Sequence, residues 1–398
     1  MFDSVRPDVQ SLGRTMTKEF DCTESVGRIR GAVTAPVTSR RNLFKFAGAG
    51  VLAVGAGSLL AACGGSEAAG GVTGTKEAGA LTAPTPFTVG SSSGDNFLID
   101  AVNVAQSQFA TYNLEVPKLV YPQSVVQGLQ MVSAGAIGGA AMDTMVTMLS
   151  FANGQKGNRP VIVGMRMPVN TYNIIVGPGN WPDQSAGFGE KMASLKSKKI
   201  GVTAIGAGTD HQLDLALKAA GMERSDITAV GVGQIPAAIA QIKNGRLDAY
   251  VGFTFGSGLS VATQVEGQML IDFSAGDTPE LLSALQVCPL VMREDNAEAH
   301  EDVANAWLAA QWDAKTWIEK DRVAAAELLN KGTFNNEAPV EAVKTIDFMV
   351  DRAFPKLNPN WKVTRSGIEH VAEVMDQLGM LEKGTVSYED IVPSFARA

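Results

Sequence analysis

The chain has 398 residues, 45% of them apolar, and its 33 Lys and Arg against 41 Asp and Glu give a formal net charge of -8. An acidic balance of this size does not suit a phosphate backbone, so nucleic acid is excluded as the expected partner. Three cysteines and three histidines, scattered without ligand spacing, give neither a metal site nor a disulfide framework, so stability has to come from a large apolar core.

The first segment with a readable purpose is "SRRNLFKFAGAGVLAVGAGSLLAAC", residues 39–63. Arg40, Arg41 and Lys45 precede a weakly apolar Ala/Gly run that ends in a cysteine, which is the layout of an export signal. The run covers roughly 17 residues, short of the roughly 20 that cross a bilayer as a helix, so no permanent span is expected. Leu60-Ala61-Ala62-Cys63 resembles the bacterial lipobox, and the arginine pair with Lys45 resembles a twin-arginine signal. Those resemblances imply cleavage before Cys63, lipid on the Cys63 thiol and a membrane anchor outside the cytoplasm. Residues 1–38 read either as a long n-region or as an extension ahead of a true start at Met16.

The stretch after Cys63 is rich in Gly, Ala and Thr and reads as a flexible tether over residues 63–85. From about Phe87, short apolar runs alternate with helical patterns: "FTVG" with "DNFLIDAVNVAQSQFA", "LEVPKLVY" with "VVQGLQMVSAG", "GAIGGAAMD" with "TMVTMLSFANG", then "RPVIVGMRM" and "YNIIVG". This rhythm predicts an α/β fold with mixed, mainly parallel sheets flanked by helices. A second series begins at "SKKIGVTAIGAGTDHQLDLALKAAGM" and runs to "QMLIDFS", after which "CPLVMRED" reads as a strand returning to the first lobe. The expected division is 1–62 extension and signal, 63–85 tether, 86–175 lobe 1, 176–272 lobe 2, and 273–398 return to lobe 1 with C-terminal helices. Trp307, Trp312 and Trp317 are spaced so that a helix buries at least part of the set.

Several loops carry candidate chemistry. Gly206-Ala207-Gly208-Thr209-Asp210 follows a strand, with a helix expected to open near His211. Free N–H groups there could hold a small polar or anionic group, or Thr209 or Asp210 could simply cap the helix. A dinucleotide site is not expected, because His211 stands where the fingerprint wants a third small residue. Gly90-Ser91-Ser92-Ser93-Gly94 is literally G-x-S-x-G, which would make Ser92 the nucleophile of an exported serine hydrolase with His211, His300 or His370 as base. Hydrolase elbows follow several strands, however, and this one follows the first. Asp143 and Thr144 end a small-residue strand, and Phe253, Thr254 and Phe255 end another. Ligands bind at such strand ends in open α/β sheets, although Asp143 could equally be a cap and the phenylalanines core.

The segment from "LKSKKIGVTAIGAGTDHQLDLALKAAGM" through "IKNGRLDAYVGF" resembles ABC-transporter solute-binding proteins of the taurine, aliphatic sulfonate and nitrate type, a group that includes relatives binding a thiamine pyrimidine precursor. The resemblance implies a two-lobed periplasmic-binding-protein fold of type II. It also implies a solute clamped between the lobes, delivery to permease transmembrane subunits, a monomer, and no cofactor, metal or catalysis. Carried residue by residue, the cleft positions fall on Ser91, Ser92, Ser93, Asp95 and Asn96, on Asp143 and Thr144, on Gly208, Thr209, Asp210 and His211, and on Phe253 and Thr254, with Asn170 and Tyr172 near the crossover. These loops offer three aspartates and only Arg166 as a nearby cation, which disfavours a simple oxyanion. The expected solute therefore carries a donor such as an amine, amide or hydroxyl, so taurine-like or pyrimidine-like molecules fit better than nitrate. An enzyme of this fold related to pyrimidine-precursor synthases is a further alternative, and an export signal argues against it.

Overall fold

The computed structural model describes residues 79–398 apart from Gln234, so Cys63, the expected signal and most of the expected tether lie outside the described residues. Among the described residues the strands, in chain order, are β1 (Thr85–Pro86), β2 (Val89–Gly90), β3 (Leu114–Glu115), β4 (Gly139–Ala141), β5 (Pro160–Met167), β6 (Asn173–Val176), β7 (Lys199–Val202), β8 (Thr228–Gly231), β9 (Ala249–Gly252), β10 (Gln268–Asp272) and β11 (Cys288–Arg293). They form a four-stranded sheet ordered β2-β4-β11-β5, a five-stranded sheet ordered β10-β6-β9-β7-β8, and a parallel pair β1-β3.

In the first sheet β11 runs against β2, β4 and β5, and in the second β6 runs against the other members. Each reversed strand is the one whose chain has just crossed from the other sheet. The crossings are tied to each other: Phe273 N–H donates to the Tyr172 carbonyl at 3.1 Å, Val287 N–H to the Met167 carbonyl at 3.2 Å, and the Asn170 amide to the Leu282 carbonyl at 2.9 Å. The result is a two-lobed α/β fold with mixed sheets and a helical C-terminal region.

Burial follows the sequence pattern. Every residue of β5 is buried although it is the edge strand of its sheet, and its run, apolar but for Arg166, is that of a strand covered on both faces. One exception to the strand expectations lies at "LEVPKLVY", where only β3 forms. Pro117 has no N–H to give a ladder, and beyond it Val120 alone bridges Gly90, its N–H reaching the Val89 carbonyl at 2.9 Å while Ser91 N–H reaches the Val120 carbonyl at 2.8 Å.

The helix Glu301–Lys320 opens on Glu301 and Asp302 and closes on Lys320, charges that complement its dipole. It lays Trp307, fully buried, against Gly139 of β4, where a β-carbon would sit 2.7 Å from the indole ring. Trp312 of the same helix meets Trp361 edge-on at 5.2 Å. This helix therefore fixes the first sheet from behind, leaving the strand ends on the other side free to build a site.

Candidate functional site

A cavity of about 240 Å³ lies where the carboxyl ends of the strands of both sheets face each other. It falls a little below the roughly 300–1,000 Å³ typical of drug-sized sites, so it suits a small molecule. The first sheet contributes Ser91, Ser92, Asn96 and Phe97 after β2, the segment Pro122, Gln123, Ser124 and Val125, Ala141, Met142 and Asp143 at β4, and Val287 and Cys288 at β11. The second contributes Thr203, Ala204, Ala207, Gly208 and Thr209 after β7, Gly233 after β8 and Phe253 after β9, and Tyr172 enters from the crossing.

Asp143 is central. It caps the helix Thr144–Asn153, its Oδ1 accepting from Val146 N–H at 2.9 Å, while its Oδ2 accepts from the Tyr172 hydroxyl at 2.7 Å. Burial pushes the carboxyl above the usual carboxylate range, with the Val146 and Tyr172 hydrogen bonds and the charge of His211 pulling the other way. The Tyr172 hydroxyl is held well above its ordinary value by burial and then by Asp143, and burial pushes the Cys288 thiol up to about 12. Both stay protonated at neutral pH. Gly208 closes onto this pair from the second sheet: a β-carbon there would lie 2.5 Å from the Tyr172 Oη and 2.7 Å from the Asp143 Oδ2.

The helix expected to open near His211 begins instead at Gly208, with Ala207 as N-cap and no side-chain cap. Gly206, at a φ of 79°, turns the chain, and Asp210 reaches back to accept from Gly206 N–H at 2.8 Å. Thr209 does not cap either. Its Oγ1 accepts from Thr203 N–H at 2.9 Å, which ties the loop shut beside the cavity.

Ser91, Ser92, Asn96, Asp143, Tyr172, Gly208, Thr209 and Phe253 therefore line the cavity, whereas Ser93, Asp95, Thr144, Asn170, Asp210, His211 and Thr254 do not. Ser93 is exposed. Asp95, raised by burial, accepts from Ser257 N–H at 3.1 Å at the start of the helix Phe255–Gln264, and so joins the first lobe to the second. Thr144 donates to the Gln286 carbonyl at 2.5 Å, and Asp210 pairs with Arg224. Asn170 links the crossings, with Gln212 as a further partner at 2.9 Å. Thr254 is buried beside Gly94, and His211 is half-buried with Nδ1 unpartnered. Phe255 stacks on Phe348 at 4.1 Å.

The Pro122–Val125 wall was legible as the loop between "LEVPKLVY" and its helix, by the same strand-end rule used elsewhere. Cys288 and Val287 were not, because a returning strand shows nothing of which end faces the cleft.

No lysine or arginine lines the cavity among the described residues. Arg166, the one nearby cation, is fully buried and committed: its guanidinium meets Asp100 at 2.6 and 3.0 Å, Gln311 at 2.7 Å and the Asn96 carbonyl at 3.2 Å. An anion 4 Å from Asp143 in its ionised form would be repelled by about 4 kcal/mol at an effective dielectric constant near 20, and could be accepted only by driving the carboxyl further toward the neutral form that burial already favours. The uncapped helix start at Ala207 offsets only about 0.3–1 kcal/mol of that. The hydrolase geometry is not assembled, since none of His211, His300 and His370 lines the cavity that Ser92 faces.

Two α/β lobes joined by tied crossings, with a small cavity at their facing strand ends, define the architecture of a periplasmic binding protein. Residues 98–330 match the model of the NMT1-like family, over half the chain, and the protein belongs to that family. Among solved structures it is similar to the alkanesulfonate-binding protein SsuA from Xanthomonas axonopodis pv. citri bound to MOPS, with a TM-score of 0.61 at 16% identity, covering 78% of this chain and 99% of that one. It is also similar to the periplasmic nitrate-binding protein NrtA from Synechocystis PCC 6803 (TM-score 0.61, 17% identity, 78% and 88% covered). A third similar structure is the aliphatic sulphonate binding protein SsuA from Escherichia coli (0.58, 16%, 79% and 94%). At these identities the likeness establishes the fold. Comparison with curated protein sequences gives no match.

Proposed function

We propose that the protein is the extracytoplasmic solute-binding component of an ABC import system. It holds a small polar organic molecule, taurine-like or pyrimidine-like, between its lobes and delivers it to permease transmembrane subunits. The observation that carries this reading is the cavity whose walls come from both lobes, with Gly208 of one pressed against Asp143 and Tyr172 at the other's edge. Such a cavity gains its full set of contacts only when the lobes are closed, so ligand binding and closure are one equilibrium. The names of the similar structures, sulfonate- and nitrate-binding proteins, support a receptor role and not catalysis.

In this reading Ser91, Ser92, Asn96, Asp143, Tyr172, Gly208, Thr209 and Phe253 touch the solute. Asp95, Asn170, Asp210 and Thr254 hold the loops and crossings that carry those residues. The chain is exported as a monomer and anchored through Cys63, with the tether giving reach to the permease.

The test is a thermal-shift screen of the soluble body against sulfonates, nitrate, amino acids, pyrimidines and amines. A ligand at about a hundred times its Kd stabilises by roughly 2.7 kcal/mol, so a true solute moves the melt clearly. A flat screen, combined with Ser92-dependent ester cleavage, would overturn the proposal.

A further inference from the structure

We infer that the solute carries a positively charged nitrogen, with Asp143 as its counter-ion and the aromatic side chains Phe97, Tyr172 and Phe253 around its apolar part. This rests on the reading that the interlobe cavity is the solute site.

The argument begins with the charges that face the cavity. Asp143 is the one carboxylate on its wall, no lysine, arginine or histidine lines it among the described residues, and Tyr172 and Cys288 are neutral. The carboxylate is buried, yet nothing fixed in the protein neutralises it by contact. Its partners are a backbone N–H and a hydroxyl, and His211 makes neither a hydrogen bond nor an ion pair with it. The guanidinium that might have served has both terminal nitrogens taken, by Asp100, Gln311 and the Asn96 carbonyl. A buried carboxylate that lacks a cation and lines an otherwise mostly apolar cavity is complementary to a cation brought by the ligand.

The rest of the wall selects among cations. A bare metal ion would need several oxygen ligands converging on it, and no group of acidic or histidine side chains able to hold one is present among the described residues. Phe97, Tyr172 and Phe253 line the same small space with Val125, Met142 and Val287, and aromatic rings attract organic ammonium groups. A protonated amine on a compact apolar or aromatic body satisfies both features.

The experiment uses probes that share a body and differ in head group: benzylamine, benzyl alcohol and phenylmethanesulfonate, followed by ethylamine, ethanol and ethanesulfonate, titrated calorimetrically into the soluble protein. The expected result is that an amine binds at least tenfold more tightly than its alcohol, while neither of these sulfonates binds. Asp143→Asn, which keeps a good helix cap, should weaken the amine by about 10–100-fold, the size of a charge-assisted hydrogen bond, and leave the alcohol within about threefold. Asp143→Ser, also a capping residue, is the second variant should the first fold poorly. Binding of a sulfonate or nitrate with no amine binding would overturn the inference and leave the receptor reading standing. So would amine binding that survives both substitutions. If no probe here and no solute in the broader screen binds, the inference falls, and the receptor reading falls with it only where Ser92-dependent ester cleavage is found as well.

Discussion

Asp100→Asn tests how the cleft is supported. The Asp100 carboxylate accepts from both terminal nitrogens of Arg166, from the Gln311 amide at 3.0 Å and from the Ser91 hydroxyl at 3.0 Å, and both charged side chains are fully buried. The substitution leaves the guanidinium without its counter-charge in the interior and turns an amide donor toward other donors. Removing one partner of a buried, hydrogen-bonded pair costs about 3–5 kcal/mol, a large part of the roughly 5–15 kcal/mol that holds a protein folded. At about 2–3 °C per kcal/mol for a body of this size, the melting temperature should fall by roughly 6–15 °C. Urea unfolding gives the free energy directly, as a lower midpoint at unchanged slope. The double substitution Asp100→Leu with Arg166→Met should recover much of the loss, because it removes both charges together. A single-site loss under about 1 kcal/mol, or a double variant no better than the single, would refute the reasoning that Arg166 is spent on the scaffold.

Three further outcomes are expected. Gly208→Ala puts a β-carbon 2.5 Å from the Tyr172 Oη in the closed form. At about 1–3 kcal/mol for such overpacking it should weaken solute affinity by about 5–150-fold with little change in the ligand-free melting temperature, and calorimetry beside melting separates the two. Glu294 is held below the usual carboxylate range, first by its hydrogen bond from Arg159. Its contribution is therefore complete above the unfolded-state value near about 4.3 and is lost as pH falls through the lower folded value. Glu294→Gln should accordingly lose stability at neutral pH and converge on the parent in acid, as urea midpoints across pH 2–7 would show. Cys63→Ser should move the protein from the membrane pellet to the soluble fraction on cell fractionation; an unchanged pellet would remove the lipid anchor.

Several features could be read before any tertiary structure. Alternation of "RPVIVGMRM", "KKIGV" and "LDAYVG" with amphipathic segments gave strands and helices, because burial of one face imposes its period on the sequence. The strand-end rule picked out Asp143 and Phe253, since ligands bind where the strands of an open α/β sheet end, and the helix start after β7 picked out Gly208 through its free N–H groups. The rule could not separate Asp143 from Asp95 and Asp210. All three stand at or within the first turn of a helix, and only the approach of the other lobe decides which of them faces the cavity.

The sequence by itself determined the acidic, two-series α/β body, its returning strand and the loops from which a site could be made, since these depend on local periodicity and turn chemistry. The tertiary structure alone decided the site's charge. Arg166 and Asp100 stand 66 residues apart, and their buried pairing behind Ser91, whose hydroxyl also donates to Asp100, commits the one available cation to the scaffold. Gly208 and Asp143 meet only because two crossings fold one lobe over the other. Contacts between residues so distant in sequence leave no periodic trace in it, and they set what the cavity can bind.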